Sequence, residues 1–198
     1  MAEFEPALDV LLSWEGGYSF NPKDPGGETY CGISRRNWPN WSGWELIDEV
    51  KKIRQIKFNE IFDDKIASLG IESNIPSIGQ LVNSFYLQNY WSKESYATIN
   101  DQDIANKVFQ HHVNMGIRAI KLFQQALEGM EVAIVKIDGT IGPQTASACN
   151  YLTSNRGVLL DYVELLTEYY DTLIKENPQL KVFEHEWMLR AKTIGKRP

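Results

Sequence analysis

The chain has 198 residues, 43% of them hydrophobic and 12% aromatic, which is enough for a compact core and too little for two large independent domains. Its formal net charge is −6, from 26 acidic against 20 basic side chains, and without a basic cluster this argues against nucleic-acid binding. Two cysteines, Cys31 and Cys149, cannot build a disulfide framework, and no apolar run reaches the roughly 18 residues that span a bilayer.

The N-terminal Met-Ala-Glu-Phe-Glu-Pro lacks the charged and apolar regions of a signal peptide, so synthesis in the cytoplasm is expected. Phe4, Leu8, Leu11 and Leu12 recur at helical spacing, Pro6 suits a first turn, and Gly16-Gly17 stops the helix with Glu15 at its C-terminal end. Residues 19–33, rich in Gly, Pro, Asn and Asp, read as a loop or short hairpin. Trp38 to Trp44, broken by Pro39 and Gly43, read as an irregular surface excursion. These tryptophans suit either a sugar-stacking face or a core.

From Trp44 the pattern is helical through Ile47, Val50, Ile53, Ile61 and Ile66, until Gly70 and Pro76 break it. A further amphipathic run carries Leu81, Val82, Phe85, Tyr86, Tyr90 and Trp91. Asp103 reads as the N-cap of a helix through Ile104, Val108 and Met115, and a second helix follows through Ile117, Ile120, Phe123 and Leu127. A short helix is predicted over Gln144 to Leu152, after Gly142-Pro143. The last and longest runs from Gly157 to Lys175 with Leu159, Tyr162, Leu166, Tyr169 and Leu173. The only strand pair suggested outside the 19–33 hairpin is at 132–141. The fold class is mainly α, with a small hairpin or loop region at the active site. The catalytic part is expected at 1–95 and a helical part at 96–198. The apolar stripe of the long helix is too wide to stand alone, so one shared core is expected.

The chemistry concentrates in Glu15-Gly-Gly-Tyr18 and Asp24-Pro-Gly-Gly-Glu-Thr29-Tyr-Cys-Gly-Ile33. A carboxylate at the end of an apolar helix is partly desolvated, which suits it to hold and donate a proton. A glycosidase needs such an acid for the leaving oxygen and a second group to place a water or stabilise an oxocarbenium-like transition state. Asp24 lies on a glycine-rich loop, where it stays solvated and ionised, and the Thr29 hydroxyl can orient a water. Gly26, Gly27 and Gly32 permit backbone conformations closed to other residues, so the loop can turn tightly beside a sugar.

These residues resemble the N-terminal signature of glycoside hydrolase family 108, the lysozyme-like N-acetylmuramidases, which include phage-type endolysins and proteins described as secretion activators. The Asp-to-Thr gap is one residue shorter than the commonest spacing of phage-type lysozymes. Tyr90-Trp91, Ile104 to Gly116 and Ala119 to Leu127 are similar to the family's central helices. Asp138-Gly-Thr-Ile-Gly142-Pro-Gln-Thr145 resembles the signature of small peptidoglycan-binding modules, although an Asp-Gly turn before a capped helix also has a purely structural reading. Phe183, Trp187 and Arg190 resemble the closing motif, with Glu186 where Gly is usual. The stretch from about Trp38 to Ser77 is longer than the family norm and is unassigned.

The resemblance implies a lysozyme-like helical fold and hydrolysis of the β-1,4 bond between N-acetylmuramic acid and N-acetylglucosamine. Glu15 is then the general acid, Asp24 the base or electrostatic stabiliser, and Thr29 a water-positioning group. Tyr18, Gly26, Gly27, Tyr30 and Asn114 are the substrate-binding candidates. The separation of Glu15 and Asp24 by two glycines and a Pro-containing turn favours opposition across a cleft, hence inversion at the anomeric carbon. The partner is the peptidoglycan glycan strand, reached after release or export, with a holin or export system as the route. Two other readings stay open: a catalytically inactive wall-binding or export-assisting protein, and a Cys31 peptidase paired with His111 or His112. Adjacent histidines diverge by about 100° on a helix and make no metal pair. No metal and no cofactor are expected.

Overall fold

The computed structural model describes residues 1–20, 27–62, 76–130, 135–152 and 155–198. Among them, in chain order, are α1 (Phe4–Glu15), the strands β1 (Tyr18–Phe20), β2 (Glu28–Tyr30) and β3 (Ile33–Ser34), α2 (Gly43–Ile53) and α3 (Ile78–Asn89). There follow α4 (Gln102–Met115), α5 (Ile117–Gly129), α6 (Pro143–Tyr151), α7 (Asn155–Glu176) and α8 (Glu184–Lys192), with short 3-10 turns between α3 and α4 and before α8. The fold is mainly α with one small sheet, as the periodicity predicts. The chain forms two compact units, Met1–Trp14 with Gln88–Pro198, and Glu15–Leu87.

In the larger unit α1 buries Phe4, Ala7, Leu8, Val10, Leu11 and Trp14, while Glu5 and Asp9 face outward. Phe4 packs against Trp91 and Phe109, with ring centroids 5.6 and 6.1 Å away. Helix α4 is buried from Ile104 through His112, an unbroken run that includes four polar side chains besides Lys107. An unpaired buried polar group costs about 1–3 kcal/mol, and most of these groups are paired inside, whereas the Gln110 side-chain amide has no partner among the described residues. The Lys107 ammonium donates to the carbonyls of Arg190 and Thr193 at 2.7 and 2.6 Å. His111 Nδ1 donates to the Lys107 carbonyl at 2.9 Å, and His112 Nδ1 shares a hydrogen bond with the Tyr96 hydroxyl, also at 2.9 Å. Burial pulls His112 down to about 4 and His111 well below its ordinary range, so both rings are neutral core groups.

The N-cap of α4 is Asp101, whose Oδ1 accepts from the Ile104 amide at 3.0 Å. Asp103, the residue expected there, sits inside the first turn, where its charge faces the positive end of the helix dipole. Helix α8 was not anticipated, although Phe183, Trp187 and Arg190 are spaced for one face. Trp187 stacks on Phe183 and on Tyr170 of α7. The described part of the expected 132–141 strand pair, 135–141, contains no strand, and 131–134 lie outside the described residues.

In the smaller unit the three strands form an antiparallel sheet in sequence order. Helix α2 buries Trp44, Leu46, Ile47 and Val50 and stops at Ile53, because Arg54 is extended at φ −157° and ψ 163°. Ile61 therefore lies beyond the helix expected to contain it, 59% exposed, and Ile66 is outside the described residues. As expected, Trp38 to Trp44 is an irregular stretch at the surface, with Trp38, Pro39 and Asn40 exposed and Trp41 half-buried, and only Trp44 turns into the core. Trp44 is buried and donates to the Trp38 carbonyl at 2.7 Å, Trp41 sits edge-on to Trp44, and Trp38 sits edge-on to Phe85. A side chain at Gly43 would run into the Trp41 ring, which explains the glycine at the start of α2.

Candidate active site

Glu15 is the last residue of α1 and is half-buried. The helix ends there because Gly16 takes φ +70°, a left-handed conformation that glycine adopts without a Cβ penalty. Gly17 then passes so close to residues 59–60 that a side chain on it would meet the Glu60 and Asn59 carbonyl oxygens at 2.6 and 2.7 Å. That approach lets the Tyr18 amide donate to the Glu60 carbonyl at 3.0 Å and the Asn59 amide to the Tyr18 carbonyl at 2.6 Å. The Gly-Gly pair after Glu15 is thus a tight exit that delivers the chain into the sheet.

Strand β1 pairs with β2 as Tyr18↔Tyr30, Ser19↔Thr29 and Phe20↔Glu28, and β2 pairs with β3 as Thr29↔Ser34 and Tyr30↔Ile33. Side chains alternate across a sheet, so Tyr18, Tyr30 and Ile33 share one buried face while Ser19, Thr29 and Ser34 form a row of half-buried hydroxyls on the other. The β2–β3 link is the two-residue turn Cys31-Gly32, with φ +48° and +79°. Positive φ at both positions is the signature of a type I′ hairpin turn, whose twist matches the strands it joins.

This turn meets the Glu15 side chain. A Cβ on Gly32 would fall 2.6 Å from Glu15 Oε2 and 2.8 Å from the Tyr86 hydroxyl, so any side chain there would push against both oxygens. Tyr86, from α3, is 1% exposed and donates to the Cys31 carbonyl at 2.6 Å. Neither Gly32 nor Tyr86 stands among the sequence candidates for the site. Gly32 carried a signal in its glycine-rich surroundings. Tyr86 carried only that of a core position on an amphipathic helix.

Behind the sheet, Glu28 is 7% exposed and accepts from the Tyr18 hydroxyl at 2.8 Å, Arg35 at 2.6 Å and Lys51 at 2.8 Å. Asp48 accepts from the same Arg35 guanidinium and the same Lys51 ammonium. Burial works to raise the Glu28 carboxyl, but the bonds from Lys51, Tyr18 and Arg35 outweigh it and hold Glu28 below the usual carboxylate range. Burial and donation to Glu28 push the Tyr18 phenol well above its ordinary range, so it stays protonated. Glu28 is an ionised strut of the sheet, tying β2 to α2.

The remaining candidates fall in different places. Thr29 lies on the half-buried hydroxyl face. Tyr18 and Tyr30 are 7% and 1% exposed, and the Tyr30 hydroxyl accepts from the Phe62 amide at 3.4 Å, so both are packed inside the unit. Gly27, at φ +69°, has open space where a side chain would stand. Asp24 and Gly26 lie outside the described residues. Asn114 belongs to the larger unit, is exposed, and accepts from the Tyr170 hydroxyl at 3.0 Å. Cys31 and Cys149 are both buried, and neither stands in a disulfide. Among the described residues no group of three His, Cys, Asp or Glu side chains could hold a metal ion, and no helix is long and apolar enough to cross a membrane.

In the larger unit the Asp138–Thr145 segment folds around the buried Gln124. Its Nε2 donates to Asp138 Oδ1 and the Thr140 carbonyl at 3.0 Å each and to Thr145 Oγ1 at 3.2 Å, and its Oε1 accepts from the Gly139 amide at 2.9 Å. Asp138 also accepts from the Thr140 amide at 2.9 Å. One buried amide accounts for the Asp, the first Gly and the Thr of that signature. The same unit has a pocket of about 280 Å³ lined by Asp101, Asp103, Arg156, Leu159, Leu160 and Ile194.

Residues 8–116 match the family described as glycosyl hydrolase 108, and residues 118–192 match a family described as a predicted peptidoglycan domain. No curated protein matches the chain. Among solved structures, Brucella abortus SagA is similar with a TM-score of 0.58 at 20% sequence identity, over 93% of this chain and 87% of that one, a likeness of fold.

Proposed function

From the premise that this chain belongs to glycosyl hydrolase family 108, matched over residues 8–116, we propose that it hydrolyses the β-1,4 bond between N-acetylmuramic acid and N-acetylglucosamine in peptidoglycan, with Glu15 as the general acid. The observation that carries this reading is the seat of Glu15, a half-buried carboxyl at a helix end, set against the bare Gly32 of a positive-φ turn. A carboxyl seated in this way can be presented to a leaving oxygen with little reorganisation, which is the positioning that general acid catalysis requires.

Glu15 protonates the glycosidic oxygen as the bond breaks, and positive charge develops on the departing sugar ring. Asp24 acts as base or electrostatic stabiliser, and Thr29, on the half-buried hydroxyl face, steers the water. Single displacement with inversion follows if that water attacks directly. Tyr18, Tyr30 and Glu28 hold the sheet in place beneath this chemistry. The segment 118–192 retains the enzyme on its polymer, so that the catalytic segment works on a tethered substrate. The protein acts on the cell wall after release or export from the cytoplasm.

Digestion of purified peptidoglycan followed by mass analysis tests the reading. New reducing ends at N-acetylmuramic acid are expected. New free amines without reducing ends would make the protein a peptidase, and neither product would make it a binder. Proton NMR of the first-formed product decides the stereochemistry: an initial α-anomer means inversion, whereas an initial β-anomer would replace the direct water with a covalent or substrate-assisted route.

A further inference from the structure

We propose that Tyr86 is a positioning residue for Glu15, holding the Cys31-Gly32 turn in the one conformation that seats the proton-donating carboxyl; this rests on the reading of Glu15 as the acid. Cys31 is held at φ +48°, where an L side chain is strained, and such a conformation persists only where its surroundings fix it. Two bonds do so. The Cys31 amide donates to the Gly17 carbonyl at 3.3 Å, a long bond, and the Tyr86 hydroxyl donates to the Cys31 carbonyl at 2.6 Å, a short one.

The Tyr86 bond is therefore the stronger brace, and it is made in a buried place where water offers no substitute. The ring is held edge-on by Phe85 at 5.1 Å, and the helix bearing both buries Ile78 and Val82, so the brace stands on a packed support. The braced turn is also the surface on which Glu15 Oε2 rests, since Oε2 and the Tyr86 hydroxyl crowd the same bare Cα of Gly32. Without the hydroxyl, the peptide between Cys31 and Gly32 is free to rotate and relieve its strain. The floor under the carboxyl moves with it. A displacement near 1 Å at a catalytic group lowers turnover by about 100-fold while leaving remote substrate contacts intact.

The test is steady-state hydrolysis of soluble peptidoglycan fragments by the full chain carrying Tyr86→Phe, with Glu15→Gln measured in parallel. Tyr86→Phe keeps the ring packing, and a thermal melt records its folding. The expected result is a fall in kcat of about 10- to 100-fold with KM within about 2-fold. Replacing Tyr86 with 4-aminophenylalanine, which returns an N–H donor at the same place, should recover most of the loss. A Tyr86→Phe enzyme with kcat within 3-fold of wild type, or an aminophenylalanine variant no better than Phe, overturns the positioning role even where Glu15→Gln is inactive. Should Glu15→Gln keep more than a tenth of wild-type activity, the reading beneath fails and the role of Tyr86 fails with it.

Discussion

Replacing Gly32 with alanine separates backbone strain from displacement of the Glu15 carboxyl. At φ +79° an alanine costs about 1–2 kcal/mol in conformation alone. Gly116, between α4 and α5, offers a control for strain without contact, because at φ +66° and ψ −152° it sits in a region nearly closed to L side chains and has open space where its Cβ would stand. Gly116→Ala should therefore lower Tm by a few degrees, at roughly 2–4 °C per kcal/mol for a chain of this size, and leave turnover alone. Gly32→Ala also strains the backbone and adds a methyl group 2.6 Å from Glu15 Oε2 and 2.8 Å from the Tyr86 hydroxyl. The carboxyl must retreat by roughly 0.8 Å to reach ordinary contact, a shift that costs on the order of 10²-fold in rate at a reacting group. The assay is release of reducing ends from purified peptidoglycan, with a thermal melt on each variant. If Gly32→Ala loses as much stability as Gly116→Ala yet retains turnover within 3-fold, the turn does not seat the acid and the reasoning is refuted.

Removing the charge of Glu28 with Glu28→Gln should destabilise the protein by about 2–4 kcal/mol in urea unfolding, because Arg35 and Lys51 lose a buried partner. The pH dependence has a defined sign. A carboxyl held below its ordinary value contributes stability that is present above the unfolded value near 4.5 and is lost as pH falls through the lower folded value. Wild type should therefore lose Tm between pH 5 and 3 more steeply than Glu28→Gln, and parallel curves would contradict the network. Lys107→Met should cost about 2 kcal/mol and expose the C-terminal tail to proteolysis, since the Lys107 side chain donates to the Thr193 carbonyl. Cys31→Ser should keep turnover within a few-fold, with an inactive Cys31→Ser restoring the peptidase reading. EDTA should leave turnover unchanged, because the acid, base and water-positioning groups proposed are two carboxyls and a hydroxyl; loss with EDTA and recovery with Zn²⁺ would contradict that.

Helix periodicity made most of this fold legible, and its errors have local causes. The stripe from Trp44 ran on through Ile61 because apolar spacing does not reveal that Arg54 turns extended. The α4 cap was misplaced by two residues because Asp101 and Asp103 are chemically alike, and only side-chain reach to the Ile104 amide tells them apart. Glu15 was legible because glycines mark the helix end beside it. Tyr86 was not, since its role depends on a contact 55 residues away in sequence. Glu28 was quoted within the signature without a role, because its partners Tyr18, Arg35 and Lys51 come from three separate elements.

The central claim is that Glu15 supplies the proton for glycosidic cleavage, and the most direct test is Glu15→Gln assayed on purified peptidoglycan by reducing-end release. Glutamine keeps the size and hydrogen-bonding shape of the side chain and removes the acidic proton, so folding by circular dichroism should match wild type. The expected loss is at least about 10²-fold in turnover, the scale of removing a general acid. A folded Glu15→Gln enzyme releasing reducing ends at more than a tenth of the wild-type rate would contradict the claim.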